Sequence, residues 1–324
     1  MHATPESLIY YPDNQPGIRR KRQGRGFSYI APDGTRIDNA RERRRIEALA
    51  VPPAYDSVWI CPRPNGHLQA TGRDDRKRKQ YRYHPAWSAF RATQKFDQLG
   101  AFADALGTIR RRVNRDLGRD AGDHAFALAA VVALIDRAAI RIGNPEYAAE
   151  NGTYGATTLR TRHMSLDEDG LRLSYIAKGR TPVTRHIRSQ KLQKTLQAMD
   201  DLPGGDLISW IDDTGAPRRV SSDEVNAYLA DVTGDATLTA KTFRTWSGSV
   251  AAIEAITPGQ TPTIKSMAEA AADRLANTPT IARKSYIHPK VIALAEDVSA
   301  LPQDPRAADG LRVAERQLKD LLAT

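Results

Sequence analysis

The sequence predicts an α+β protein: a small β-rich N-terminal domain over residues 1–90, then a mostly α-helical domain over residues 91–324. Three patterns predict it. Before residue 90, short apolar runs alternate with turn signals such as Pro32-Asp33-Gly34 and the PRPNG segment at 62–66. From Trp87 onward, Phe90, Phe96, Leu99, Phe102 and Leu106 recur at spacings that suit one helical face. Residues 163–189 break the helical pattern and read as a three-stranded antiparallel β-meander.

In chain order, residues 1–16, with Pro5, Pro12 and Pro16, read as a loose lead-in. A basic cluster, Arg19, Arg20, Lys21, Arg22 and Arg25, precedes a hairpin with strands at 27–30 and 35–37. Arg41–Ala50 reads as a short helix that stops before Pro52-Pro53. Strands follow at Ser57–Cys61 and His67–Gly72. The next segment, RDDRKRKQYRYHPAW, sets cations around Tyr81 and Tyr83. A charge run is usually a solvated face, but cations interleaved with aromatics also suit phosphates and base edges.

The helical part continues with a basic helix over 109–117, broken by Gly118 and Gly122. Asp123 can cap an alanine-rich helix running to Ile142, with Gly143 and Pro145 as stop signals, so Arg141 is expected in its last turn. Tyr147–Gly155 reads as a turn region. The meander has strands at 163–167, 171–177 and 183–188, with turns at Glu168-Asp169-Gly170 and at Lys178–Pro182. Lys178 is thereby placed at a hairpin tip. Helices are expected at 191–199, 222–232, 239–255 and 263–275, a short strand within LISWI, and an amphipathic helix in 305–322.

Formal net charge is +10 and the pI is about 9.7, which points to a polyanionic partner: nucleic acid first, an anionic membrane surface second. The single cysteine, Cys61, allows no internal disulfide and fits a reducing compartment. The first residues lack a charged start followed by an apolar run, and no signal peptide is expected. The longest apolar stretch, 125–142, is broken by Asp136, Arg137 and Arg141, so no membrane span is expected. There is no GxxxxGK[ST] loop, no GxSxG elbow and no zinc-ligand spacing among the one cysteine and seven histidines. The paired acids sit at turn-like positions. No cofactor and no metal are expected.

The remaining chemistry centres on LANTPTIARKSYIHP, residues 275–289, where Tyr286 stands beside Arg283 and Lys284. A lone tyrosine at a helix end is most often a half-buried aromatic. Its phenol, with a pKa of about 10, attacks at neutral pH only with help from cations or a base. Arg141, Lys178 and Arg244 supply such cations, and Lys241 lies three residues before Arg244 on the same helical face. Two arginines can neutralise charge developing on a phosphodiester, a lysine can protonate the leaving oxygen, and a phosphotyrosyl ester conserves the bond energy.

These segments resemble the poxvirus-like and bacterial type IB DNA topoisomerases. The likeness runs through GFSYIAPDG, WICPRPNGHLQATGRDDRKRKQYRYHP, RIGNPEYAAENGTYGATTLRTRH, KTFRTW and NTPTIARKSYIHP, and covers most of the chain. It implies a β-rich N-terminal DNA-clamp domain and a catalytic domain of the tyrosine-recombinase type, closing as a monomer around duplex DNA in the nucleoid-bearing cytoplasm. It further implies Tyr286 as nucleophile in a 3′-phosphotyrosyl link, Arg141 and Arg244 on the scissile phosphate, and Lys178 as general acid. Arg180 and Arg185 are competing cations of the same hairpin. Gln80, Tyr81 and Tyr83 match a segment on the DNA major groove, and Tyr147 and Lys241 match backbone-contacting positions. Asn277 stands nine residues before Tyr286, where poxvirus members carry histidine. Asparagine can donate a hydrogen bond to a non-bridging oxygen but cannot carry charge. Two other readings are a tyrosine recombinase and a non-catalytic basic DNA-binding protein.

Overall fold

The basic run near the start is itself a strand. In the computed structural model, which describes residues 5–167, 170–257, 259–308 and 310–324, β1 spans Ile18–Gln23 and pairs with β2, Gly26–Ile30. Gly24, at φ +56°, helps turn the chain between them. The strand expected at 35–37 contributes only a single bridge, Arg36 to Ile30. In β1 only Ile18 is buried, so no apolar alternation announces it.

The chain forms two compact units, residues 1–94 and 95–324. In the first, α1 (Ala40–Ala48) is capped by Asn39, whose Oδ1 accepts from the Arg41 and Glu42 N–H groups. Strands β3 (Asp56–Ile60), β4 (Leu68–Arg73) and β5 (Lys79–Tyr83) complete an antiparallel sheet of order β2-β1-β3-β4-β5. Ile18, Tyr29, Val58, Ile60 and Ala70 form a core with Ile46 of α1. One ladder row runs Arg19, Trp59, Thr71, Tyr81, so Tyr81 lies on the sheet face away from Ile60 and Ala70.

From residue 5 the lead-in is not loose; residues 1–4 of it lie outside the described residues. Ile9 bridges to Gly66, Tyr10 stacks on His67 at 4.2 Å, and Trp59 Nε1 donates to the Gln15 carbonyl at 2.9 Å. The Asp13 carboxylate accepts from Thr71 Oγ1 at 3.0 Å and pairs with Lys79 at 2.5 Å. Residues 9–15 are thus strapped to the sheet by aromatic and polar contacts, which hydropathy does not register.

The division after Gln94 falls within α2, Pro85–Asp116. In the second unit, α3 (His124–Ala138) is buried along most of its length. It stops earlier than expected: Ala139 takes up the left-handed conformation at φ +51°, which leaves Arg141 beyond the helix rather than in its last turn. The expected turn region after it begins as a helix, α4 (Pro145–Asn151), with Asn144 as N-cap, Pro145 in the first turn and Gly152 closing it at φ +61°.

The three-stranded meander is β6 (Met164–Asp167), β7 (Gly170–Ala177) and β8 (Thr181–Ile187). Glu168 and Asp169 of its first expected turn lie outside the described residues. Helix α5 (Gln190–Asp200) follows, then a two-stranded ribbon of β9 (Ser209–Ile211) and β10 (Pro217–Arg219), the second strand unforeseen. The remaining helices are α6 (Ser222–Thr233), α7 (Ala240–Glu254), α8 (Ile264–Leu275), α9 (Pro279–Tyr286), α10 (Pro289–Ala293) and α11 (Val313–Ala323). Among the described residues, no helix is long and apolar enough to cross a membrane.

A buried ionic cluster ties α11 to the core. Arg110 of α2 pairs with Asp136 of α3 and with Glu315 of α11, each at 2.8 Å, and Arg312 reaches the same Glu315 at 2.8 Å. Burial pushes the Glu315 carboxyl up, but bonds from Arg110 and Arg312 outweigh it and hold ionisation well below the ordinary range. The carboxylate is therefore favoured in the folded state. Its contribution is fully present above the unfolded glutamate pKa of about 4.3 and is lost as pH falls below it. We predict that Glu315→Ala lowers stability by about 3 kcal/mol at pH 7, because it takes from the buried Arg110 one of its two carboxylates and leaves it Asp136 alone. The gap to wild type should narrow in urea melts taken below pH 4.

Candidate active site

Stretches far apart in sequence line one groove of about 770 Å³ in the second unit. Arg141, Lys178, Lys241, Arg244, Asn277 and Tyr286 all face it. The four cations have no carboxylate beside them among the described lining residues. Such a surface suits an anion with several oxygens.

Arg244 is the anchor. It projects from α7 and is only 5% exposed. One terminal nitrogen donates to the Ala139 carbonyl and the other to the Leu275 carbonyl at 2.8 Å. Its Nε is buried with no partner. The guanidinium lies 5.3 Å from the centre of the Tyr286 ring. Burial, and then the charge of Arg141, push its ionisation down, while Tyr286 opposes this. A buried cation crowded by a second one is ready to gain from an anion.

Arg141 is fixed through its backbone. Its carbonyl accepts from the Ala156 N–H at 2.8 Å, and that of Ile142 from the Thr157 N–H at 2.7 Å. The crossing needs Gly155, where a Cβ would lie 2.5 Å from both the Arg141 carbonyl oxygen and the Gly143 nitrogen. The Arg141 side chain donates to Asn277 Oδ1. Arginine has no acceptor, so this contact fixes the amide orientation. Asn277 Nδ2 is left buried with no partner, a neutral donor beside two arginines.

Lys178 is exposed at the tip of the β7–β8 hairpin, and Gly179 (φ +82°) and Arg180 (φ +59°) complete the three-residue turn. Arg185 is engaged elsewhere. It donates to the carbonyls of Ala138 (3.2 Å), Asp273 (3.4 Å) and Arg274 (3.0 Å). Arg180 is exposed and does not line the groove as described.

Tyr286 is the last residue of α9, which Thr278 caps with Oγ1 accepting from the Ile281 N–H at 3.3 Å. Ala276, at φ +48°, ends α8 and turns the chain into Asn277. A second phenol, Tyr175, also feels Arg185, Arg244 and Arg141, but burial dominates and pushes its ionisation up.

The other sequence candidates are not among the residues that line the groove as described. Tyr147 is exposed on α4, and its N–H donates to Asn144 Oδ1 at 3.0 Å. Gln80, Tyr81 and Tyr83 are on β5 of the first unit. Gln80 donates to Asp74 Oδ2 at 3.0 Å, and the two exposed tyrosines stack, with ring centres 6.0 Å apart. Lys95, unmarked by any motif, is pushed down to about 8 by burial and by the charge of Lys241. Among the described residues, no group of three or more His, Cys, Asp or Glu could hold a metal ion.

Residues 84–285 match the family model of the eukaryotic DNA topoisomerase I catalytic core, and residues 26–74 that of the bacterial DNA topoisomerase IB N-terminal domain. The chain is 27% identical to DNA topoisomerase 1B of Acanthamoeba polyphaga mimivirus over 286 residues, covering 84% of this chain and 85% of the viral protein. It is 20% identical to DNA topoisomerase 1B of vaccinia virus strain Copenhagen and to DNA topoisomerase I of monkeypox virus, over 76% of this chain and 78% of each relative.

Sequence pattern had no means of flagging Gly155 as a positioning residue, since its φ suits any side chain and only its neighbours forbid one. We predict that Gly155→Ala costs about 1–3 kcal/mol in thermal melts, from overpacking against backbone.

Proposed function

The chain belongs to the type IB DNA topoisomerase family, whose substrate is duplex DNA, and we propose that it relaxes supercoils through a transient nick held as a 3′-phosphotyrosyl ester on Tyr286. The phenolic oxygen attacks the scissile phosphorus as its proton passes to solvent, and the bond to the 5′ oxygen breaks. Arg141, Arg244 and Asn277 Nδ2 bind the non-bridging oxygens, where charge gathers in the transition state. Lys178 gives a proton to the leaving 5′ oxygen, which would otherwise depart as a poor alkoxide. Religation is the reverse: the 5′ hydroxyl attacks, and the phosphotyrosyl bond supplies the energy, so neither ATP nor a metal enters the cycle.

The observation that carries this reading is the convergence of Arg141, Lys178, Arg244, Asn277 and Tyr286 on one groove. The neutral donor at Asn277 suits transition-state binding rather than acid catalysis. In this reading the helical part, residues 91–324, is a catalytic domain of the tyrosine-recombinase type. The part at 1–90 is the other arm of a monomeric clamp, with Gln80, Tyr81 and Tyr83 against the major groove. Tyr147 and Lys241 hold the phosphate backbone. The enzyme works in the cytoplasm, at the nucleoid.

Wild type should relax positively and negatively supercoiled plasmid in EDTA without ATP, while Tyr286→Phe binds the plasmid and leaves its linking number unchanged. Relaxation by Tyr286→Phe would overturn the assignment. Lys178→Ala should cleave slowly on ordinary DNA. It should recover on a 5′-bridging phosphorothiolate, because a thiolate, with a pKa near 8.5, leaves without a proton. Failure to recover would remove Lys178 from the acid role.

A further inference from the structure

Two residues of α7 hold the main chain at Tyr286 and have had no part in the chemistry so far. At Gly248, a Cβ would lie 2.6 Å from the Tyr286 carbonyl oxygen and 3.0 Å from the Tyr286 Cβ. Only glycine lets the tyrosine backbone approach the helix this closely. Ser249, next along, is fully buried. Its Oγ accepts from the His288 N–H at 2.9 Å, and its own proton faces the carbonyls of Thr245 at 3.0 Å and Tyr286 at 3.3 Å. A bond to the carbonyl four residues back is ordinary for a helical serine. The bond accepted from His288 is not, because it fixes a separate segment of chain. Between these contacts Ile287 is buried, and the His288 ring meets the edge of Phe96 at 5.4 Å.

We propose that Ser249 and Gly248 are positioning residues for the nucleophile, seating the turn after Tyr286 on the helix that carries Arg244. This rests on the reading of Tyr286 as nucleophile. Arg244 and Ser249 are five residues apart, about 7.5 Å along a helix axis. One rigid element therefore sets both the guanidinium and the main chain from which the phenol springs. Loss of the Ser249 acceptor leaves the part-buried His288 N–H without its partner on α7, and the turn relaxes away from that helix. A shift of about 1 Å at a reacting group can cost about a hundredfold in rate.

The test is single-turnover formation of the covalent adduct on a nicked suicide duplex at saturating DNA, with rates normalised to active molecules by the adduct end point. Ser249→Ala and Gly248→Ala should each slow cleavage by about 10- to 100-fold, with DNA affinity within about twofold of wild type. Ser249→Thr, which keeps the hydroxyl, should regain most of the rate. A 5′-bridging phosphorothiolate should leave the deficit of both variants in place while relieving that of Lys178→Ala. Should Ser249→Ala not fold, Ser249→Cys puts a slightly larger group with a weak acceptor in the same place and is read in the same way. Per-molecule rates within twofold of wild type for the serine and glycine variants, whatever their melting temperatures, would overturn the proposal. So would a deficit that the phosphorothiolate removes. If wild type forms no adduct, the reading of Tyr286 itself fails.

Discussion

The site depends on burying one cation. Arg244 sits almost out of reach of water, and a guanidinium there needs acceptors or it costs several kcal/mol. Its acceptors are backbone carbonyls where two helices stop, Ala139 after α3 and Leu275 at the end of α8. Carbonyls at helix ends have no intrahelical donor, and they carry the negative pole of the helix dipole. Each helix turns aside through an alanine with positive φ, Ala139 and Ala276. The binding of Arg244 thereby fixes α3, α7 and α8 at one junction.

The other groups of the groove take their places from the same junction. Arg185 of β8 bonds the carbonyls of Ala138, Asp273 and Arg274, at the ends of the same two helices, and so docks the meander whose tip carries Lys178. Arg141 follows the end of α3, Asn277 follows the end of α8, and the two join side chain to side chain. Two negative helix poles moderate the repulsion among closely set cations without placing a carboxylate where a phosphate would have to compete with it. Of the hairpin arginines, Arg185 is a structural tie and not a free donor.

The sequence made the long elements legible and left the short polar ones obscure. Helices α7 and α8 lie within a residue of the bounds expected, and Ser221 with Glu224 forms a reciprocal cap at the start of α6, close to the position expected. Strand β1 escapes such a reading because four of its residues are exposed cations or amides and only Ile18 is buried. Strand β5 reads as a charge run for the same reason. At Asn144-Pro145 the stop signal after α3 was also the start signal of α4. The end of α3 was misplaced because alanine in the left-handed conformation leaves no glycine to mark it. The groove residues were legible as motifs. The contacts that place them, from Gly155, Arg185 and Ser249, join segments distant in sequence, and no local pattern encodes such pairs.

Helix α9 gives the site a fixed gauge length. Thr278, its cap, and the first seven of its eight residues separate Asn277 from Tyr286. Each residue in a helix advances the chain by about 1.5 Å and turns it by about 100°. Adding or deleting one residue anywhere in α9 would swing the phenol off the groove while leaving every individual side-chain preference intact. An exposed position such as Thr280, which does not line the groove as described, can drift in identity without moving either end. This segment therefore tolerates changes of composition and forbids changes of length, as a spacer does in a mechanical assembly.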